Sequence, residues 1–221
     1  MASKIEKNRG PVVAVDGPAA SGKGTIARAL AKELGLPHMD TGLLYRAVAL
    51  NLWRWGGDPA NEFAALRACD ALGFDHDDPE LRSEPVSEIA SRISAYPSVR
   101  AALLKRQQDF ARQPGGAVLD GRDIGTVIAP EADVKLFVTA SPEVRAERRL
   151  KELDARGMCA GYEDVLADIR ARDRRDSTRD VAPLMPAIDA ILLDTSALDV
   201  GEAIAEALRL TQERLAGARL T

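Results

Sequence analysis

Cysteine and histidine are scarce in this chain of 221 residues, with two of each. Cys69 and Cys159 lie far apart and form no Cys-x-x-Cys, so free thiols in a reducing cytosol are expected rather than a disulfide framework. His38 and His76 form no His-Glu-x-x-His, and a protein-ligated zinc site is not expected. No apolar run approaches the length of a membrane span, and the first ten residues contain no apolar signal core. A net charge of −4 argues against a general nucleic-acid coat and against a binder of anionic membranes. Internal repeats and low-complexity segments are also missing. The expectation is a soluble cytoplasmic protein, long enough for a single domain with a substantial core.

The informative segment is an apolar run, Val12-Val13-Ala14-Val15, that ends at Asp16 and is followed by Gly17-Pro18-Ala19-Ala20-Ser21-Gly22-Lys23-Gly24-Thr25. An amphipathic helix pattern starts at once, with Ile26, Ala29, Leu30, Ala31 and Leu34 on its apolar side. Strand, glycine-rich loop and helix are the context of a phosphate-binding P-loop. Glycines at 17, 22 and 24 open backbone angles closed to other residues and allow a phosphate close to the main chain. The amides of Ala20 to Thr25 can then converge on anionic oxygens, helped by the helix dipole and by the charge of Lys23. Gly24 follows Lys23 where Ser or Thr is usual, so the hydroxyl that serves Mg²⁺ is displaced to Thr25.

Strand and helix patterns alternate downstream. Strands are predicted at 37–40, 117–120, 134–138 and 190–194, and helices at 23–34, 41–55, 61–72, 84–95, 97–112, 142–156, 161–179 and from about 200. Residues 75–79 read as a polar break. Short continuous apolar strands between helices predict an α/β fold with a parallel sheet covered on both faces. Ligands in such sheets sit at the carboxyl ends of the strands. Asp16, Asp40 and Asp120 fall at that end of their strands, where they could hold Mg²⁺ or its waters.

Two further patterns carry charge toward that edge. On helix 161–179 the apolar stripe of Tyr162, Val165, Leu166 and Ile169 continues into Arg172, Asp173, Asp176 and Arg179. A helix end with solvated charges is one reading. The other is a set of arginine forks, held in register by aspartates, that binds phosphate; Arg145, Arg148 and Arg149 on the preceding helix add to it. The loop Asp120-Gly121-Arg122-Asp123-Ile124-Gly125-Thr126 follows a strand directly, so Arg122 and Asp123 reach over the P-loop edge unless the loop is only a charged turn.

Taken together, these motifs resemble the bacterial cytidylate kinases from about residue 11 to 215. The marks are the segments 16–25, Asp40-Thr41-Gly42-Leu43-Leu44-Tyr45-Arg46, Tyr96-Pro97-Ser98-Val99-Arg100, 120–126 and 172–179. The resemblance implies a single P-loop kinase domain over 1–221: a three-layer α/β fold with a parallel sheet of about five strands. It also implies a region at about 41–112 that binds the nucleoside monophosphate and a helical lid at about 142–182. Many bacterial members insert a three-stranded element in the first of these regions, whereas the interval here (about 60–84) is short and lacks alternating strand patterns.

By the same resemblance, Gly17, Pro18, Ala19, Ala20, Ser21, Gly22, Lys23, Gly24 and Thr25 hold the phosphates of ATP, with Arg145 and Arg149 in the lid closing over it. Thr41, Arg46, Ser91, Arg100, Arg122, Asp123, Arg172, Asp176 and Arg179 line the CMP pocket. Arg46, Arg122 and Arg172 grip the acceptor phosphate; Asp123, Ser91 and Arg100 read cytosine; Asp176 and Arg179 meet the sugar. Lys23, Arg122, Arg172 and Arg149 are the expected catalytic groups. No direct protein ligand to Mg²⁺ is expected, with Thr25, Asp16 and Asp120 acting through water.

The implied reaction moves the γ-phosphoryl group of ATP to CMP or dCMP, with ATP and Mg²⁺ as donor and metal and small molecules as the only partners of a monomer. A P-loop kinase for UMP, AMP or a metabolite alcohol is the nearest alternative. A regulatory nucleotide switch is more distant, because the chain has no Asn-Lys-x-Asp and no apolar run ending in Asp-Glu.

Overall fold

The computed structural model describes residues 10–71, 73, 75 and 78–218. Five parallel strands form one sheet in the order β2-β3-β1-β4-β5, with β1 at Val12–Asp16, β2 at His38–Asp40, β3 at Ala117–Gly121, β4 at Val134–Thr139 and β5 at Ile191–Asp194. The central strands β1 and β3 are buried along their whole length, which is why they read as continuous apolar runs.

Alternate residues of β1 feed opposite faces. Val13 and Val15 pack with Ile26, Ala27 and Leu30 of α1 (Lys23–Leu34) and Ala203 and Ala207 of α8 (Val200–Ala218). Val12 and Ala14 meet Ala111 of α5 (Pro97–Ala111) and Ile124 and Ile128 on the other side. Three layers result, as expected from the alternation of elements.

Two helical groups stand beyond the sheet, each with an apolar cluster of its own. The first joins α2 (Thr41–Arg54), α3 (Glu62–Ala68), α4 (Glu84–Ile93) and α5 around Leu50, Leu52, Ile93 and Leu103. The second is the pair α6 (Pro142–Asp154) and α7 (Tyr162–Thr178), closed by Ala146, Leu153, Val165, Leu166 and Ile169. No helix among the described residues is long and apolar enough to cross a membrane.

Most boundaries agree with the periodicity; the differences have local causes. The helix predicted at 61–72 ends at Ala68 and tightens into a 3₁₀ turn, Cys69–Ala71. A second 3₁₀ turn, Pro79–Arg82, starts where Asp78 accepts the Glu80 amide at 3.0 Å. The polar break at 75–79 otherwise falls partly outside the described residues, and no strand occurs in the described part of the short interval before α4. Arg179, predicted as helical, follows α7 as its extended C-terminal cap. The segment after β3 is more than a loop: Ile124–Ile128 form a single π-helical turn.

Candidate active site

The P-loop owes its shape to backbone sterics. Gly17 has φ of 156°, and a Cβ there would lie 2.0 Å from the carbonyl oxygen of Val138 in β4. Gly22, at φ 87°, turns the chain into α1, whose first amides then face outward at the sheet's carboxyl edge. Ala20 also adopts a left-handed φ of 58°, an unfavourable conformation for a residue with a Cβ. Lys23 Nζ donates to the carbonyl of Pro18 at 3.2 Å, folding back over the loop.

Parallel register then aligns the next loops with this one. Asp16 pairs with Gly121 and Asp40 with Asp120, so β1, β2 and β3 end together. Thr41 Oγ1 donates to the Asp120 carbonyl at 2.8 Å, fastening the start of α2 to the end of β3. Asp16 accepts the amides of Ile124 and Gly125, each at 2.8 Å, and so anchors the π-turn that aims Arg122 and Asp123. Burial nevertheless pushes the Asp16 carboxyl up to about 7, because desolvation outweighs those two hydrogen bonds. Both oxygens of Asp16 thus already accept from the main chain.

Cations gather over the loop. Burial drives the Lys23 ammonium down to about 7, with Arg122 the next cause. The guanidinium of Arg172 is lowered to about 10 by burial and then by Arg122, and that of Arg46 likewise by burial, against the pull of Asp40. Arg172 Nε is buried without a hydrogen-bond partner. Arg122 is the exception among these groups. Burial acts against its charge, but Asp176, Asp120 and Asp40 outweigh burial and raise it. Crowded, desolvated and mutually repelling cations suit an anionic ligand.

A second cluster lies beside the first. Asp123 pairs with Arg100 in a short contact and lies 3.7 Å from Arg179 Nη2, all with nearly buried side chains. Burial raises the Asp123 carboxyl while Arg100 and Arg179 pull it down. Tyr45 walls this pocket, with its ring centroid 5.8 Å from the Arg100 guanidinium carbon. Arg122 Nε donates to Asp176 Oδ2 at 2.8 Å; burial pushes Asp176 up, but Arg122 and Arg172 prevail and hold it low. Ser91 Oγ accepts from Arg175 at 3.3 and 3.2 Å, and Arg46 donates to Ser87 Oγ at 2.7 Å.

Two further predicted residues, Arg145 and Arg149, lie on α6. Arg145 is nearly buried and fully engaged: it donates to Asp173 at 2.9 and 2.6 Å, to the Ala140 carbonyl at 2.8 Å and to the Ala19 carbonyl at 3.3 Å. Through the Ala19 carbonyl it is tied to the P-loop. Arg149 pairs with Glu84 of α4 and with Glu152 at 2.8 Å. Sequence reasoning passed over Tyr45, Ser87 and Arg175 as site residues. Tyr45 and Arg175 lie inside the quoted motifs, and Ser87 follows Ser83 at helical spacing without any chemical signal.

Comparison with known proteins agrees with this geometry. The family model described as cytidylate kinase matches residues 13–213. The cytidylate kinase of Xanthobacter autotrophicus is 60% identical over 207 residues, 93% of this chain and 99% of that protein. That of Methylocella silvestris is 56% identical over 202 residues, 91% and 94% of the two chains. Among solved structures, a gluconokinase from Sinorhizobium meliloti superposes with a TM-score of 0.51 at 18% identity, covering 97% of this chain and 99% of its own. An uncharacterized protein from Eubacterium ventriosum does so at 0.55 and 14%, covering 93% and 99%; at such identities only the fold is shared. Identity above one half across nearly the whole length, over a P-loop flanked by paired arginines, leaves one conclusion: this chain belongs to the cytidylate kinase family.

Proposed function

We propose that this protein transfers the γ-phosphoryl group of ATP to a phosphate oxygen of CMP, giving CDP and ADP by direct in-line displacement. The observation that carries the reading is the buried cation cluster of Lys23, Arg122 and Arg172 at the mouth of the P-loop, in which burial lowers both Lys23 and Arg172. The acceptor phosphate is anionic near neutral pH, so the reaction needs no strong general base. The barrier lies in bringing two polyanions together and stabilising the charge of a loose transition state. The P-loop amides and Lys23 bind the donor phosphates. Arg122 and Arg172 lie between donor and acceptor, and Arg46 closes the acceptor side. Two of these arginines arrive pre-aimed: Arg122 by Asp176, and Arg46 by Ser87 and the Leu81 carbonyl at 3.0 Å.

The acceptor base is read by the second cluster. Asp123 is held by Arg100 and Arg179 so that its carboxylate accepts from the N4 amino group of cytosine. Uracil would oppose O4 to that carboxylate, two acceptors without a proton between them. Ser91 and Arg100 complete the base pocket, and Asp176 and Arg179 face the sugar. The phosphate and base contacts are the same for dCMP, which we propose as a second acceptor.

The residues present fit a magnesium ion carried on the nucleotide phosphates. A Cβ on Gly24 would sit 3.5 Å from Asp120 Oδ2 and equally far from Arg28 Nη1, which puts that hard oxygen beside the first turn of α1, the turn that carries Thr25. Thr25 and Asp120 would hold the ion, directly or through its waters. When bound, Mg²⁺ would neutralise charge on the nucleotide phosphates.

ADP release with ATP and Mg²⁺ over a panel of CMP, dCMP, UMP and AMP tests the proposal. CMP and dCMP should be turned over at least about tenfold more efficiently than UMP or AMP. Equal or greater efficiency with UMP would overturn the assignment of Asp123.

A further inference from the structure

His38 lies on the short edge strand β2 and takes no part in the contacts described so far. Its Nε2 is 2.7 Å from Asp120 Oδ1, with the histidine side chain 18% and the carboxylate 4% exposed. The sheet register produces this contact. His38 pairs with Val118 across a parallel ladder, and Asp120 is two residues further along the same face. That face is the α1 side, since Val118 packs with Ile26 and Leu30. An ionised carboxylate only accepts, so Nε2 carries the hydrogen and donates it. One oxygen of Asp120 is thereby anchored, its carbonyl is held by Thr41, and Oδ2 is left directed toward Gly24 and the start of α1.

We propose that His38 is a positioning residue for Asp120, fixing the carboxylate rotamer that presents Oδ2 to the magnesium ion on the donor phosphates. The inference rests on the kinase reading above and names the residue that orients its metal side. A free Asp120 would swing between rotamers and lose order each time the metal is bound. A hydrogen bond from the adjacent strand removes that freedom beforehand. Outer partners of this kind typically change metal affinity about 10–100-fold when removed.

The test uses ADP and Mn²⁺ as probes and no acceptor, so it stands apart from the identity of the acceptor. Mn²⁺ binding to the ADP complex is followed by loss of the free-ion electron paramagnetic resonance signal, for the wild type and for His38→Ala, His38→Leu and His38→Gln. Removing the donor should weaken Mn²⁺ binding about tenfold or more. His38→Gln, which keeps an N–H donor, should recover most of the affinity. ADP binding without metal should be unchanged in all three, which shows that each is folded at the site. His38→Leu suits a half-buried strand position and serves if the alanine variant is unstable. Wild-type Mn²⁺ affinity in the Ala and Leu variants would overturn the proposal. So would equal loss in Gln, Ala and Leu, or loss of metal-free ADP binding to the same degree as Mn²⁺ binding.

Discussion

Arg122 Nε donates to Asp176 Oδ2 at 2.8 Å, tying the loop after β3 to the last turns of α7 across 54 residues of sequence. This pair sets the direction of the guanidinium, with Nη1 resting on the Gly121 carbonyl at 3.3 Å. Replacing Arg122 by Met should lower kcat at least about 100-fold, as expected for a lost preorganised donor. Lys23→Met should do the same. Circular dichroism of both variants should match the wild type, and near-normal turnover would remove either residue from the mechanism. Asp176→Asn should raise KM for CMP as well as lower kcat, because the sugar contact and the aim of Arg122 are lost together.

Lys23 predicts a proton balance. Burial first, and then Arg122, lowers its ammonium to about 7 in the free site, from 10.5. The folded chain therefore holds fewer protons than the unfolded one between these values, and stability from this group rises as pH increases across that window. Bound ATP phosphates reverse the shift. Titration calorimetry near pH 8, in buffers of different ionisation enthalpy, should show uptake of close to one proton per ATP. The uptake should vanish below about pH 5.5, where Lys23 is already charged, and should be absent in Lys23→Met at either pH.

Asp123 should decide base preference. Asp123→Asn keeps the size and one accepting oxygen for Arg100 but offers an amide that can turn its N–H₂ toward the O4 of uracil. The ratio of kcat/KM for CMP over UMP should fall about tenfold or more. An unchanged ratio would place base recognition elsewhere.

Gly17→Ala should unfold the loop rather than disturb its chemistry. The added Cβ would fall 2.0 Å from the Val138 carbonyl oxygen, a backbone atom that cannot move without displacing β4. Overpacking of this kind costs roughly 1–3 kcal/mol, or several degrees of Tm in a chain of this size. A thermal melt within about a degree of the wild type would show that β4 yields at no cost.

Much of the sheet and the P-loop could be read before folding because both depend on local pattern. Val12 to Val15 are apolar without interruption since the strand is buried on both faces, and Gly22 and Lys23 follow Asp16 at the spacing a strand–loop–helix turn imposes. The charged end of α7 was also visible, as the point where Ile169 gives way to Arg172 and Asp176 at helical spacing. The partners of Arg145 were not legible, because from sequence it is one of several arginines on the same helix. Its carboxylate partner Asp173 and the Ala19 carbonyl come from other elements.

The boundary between the two kinds of information follows from range. Residue types and spacing were enough for a parallel α/β chain with a phosphate loop, because steric and periodic constraints act over a few neighbours. The roles of individual charges depended on the assembled chain. Asp16 and Asp120 are equivalent as acids at strand ends, yet Asp16 is spent on the amides of Ile124 and Gly125 and Asp120 is oriented by His38. Strand register and desolvation make that distinction, and both arise only when segments far apart in sequence are packed together.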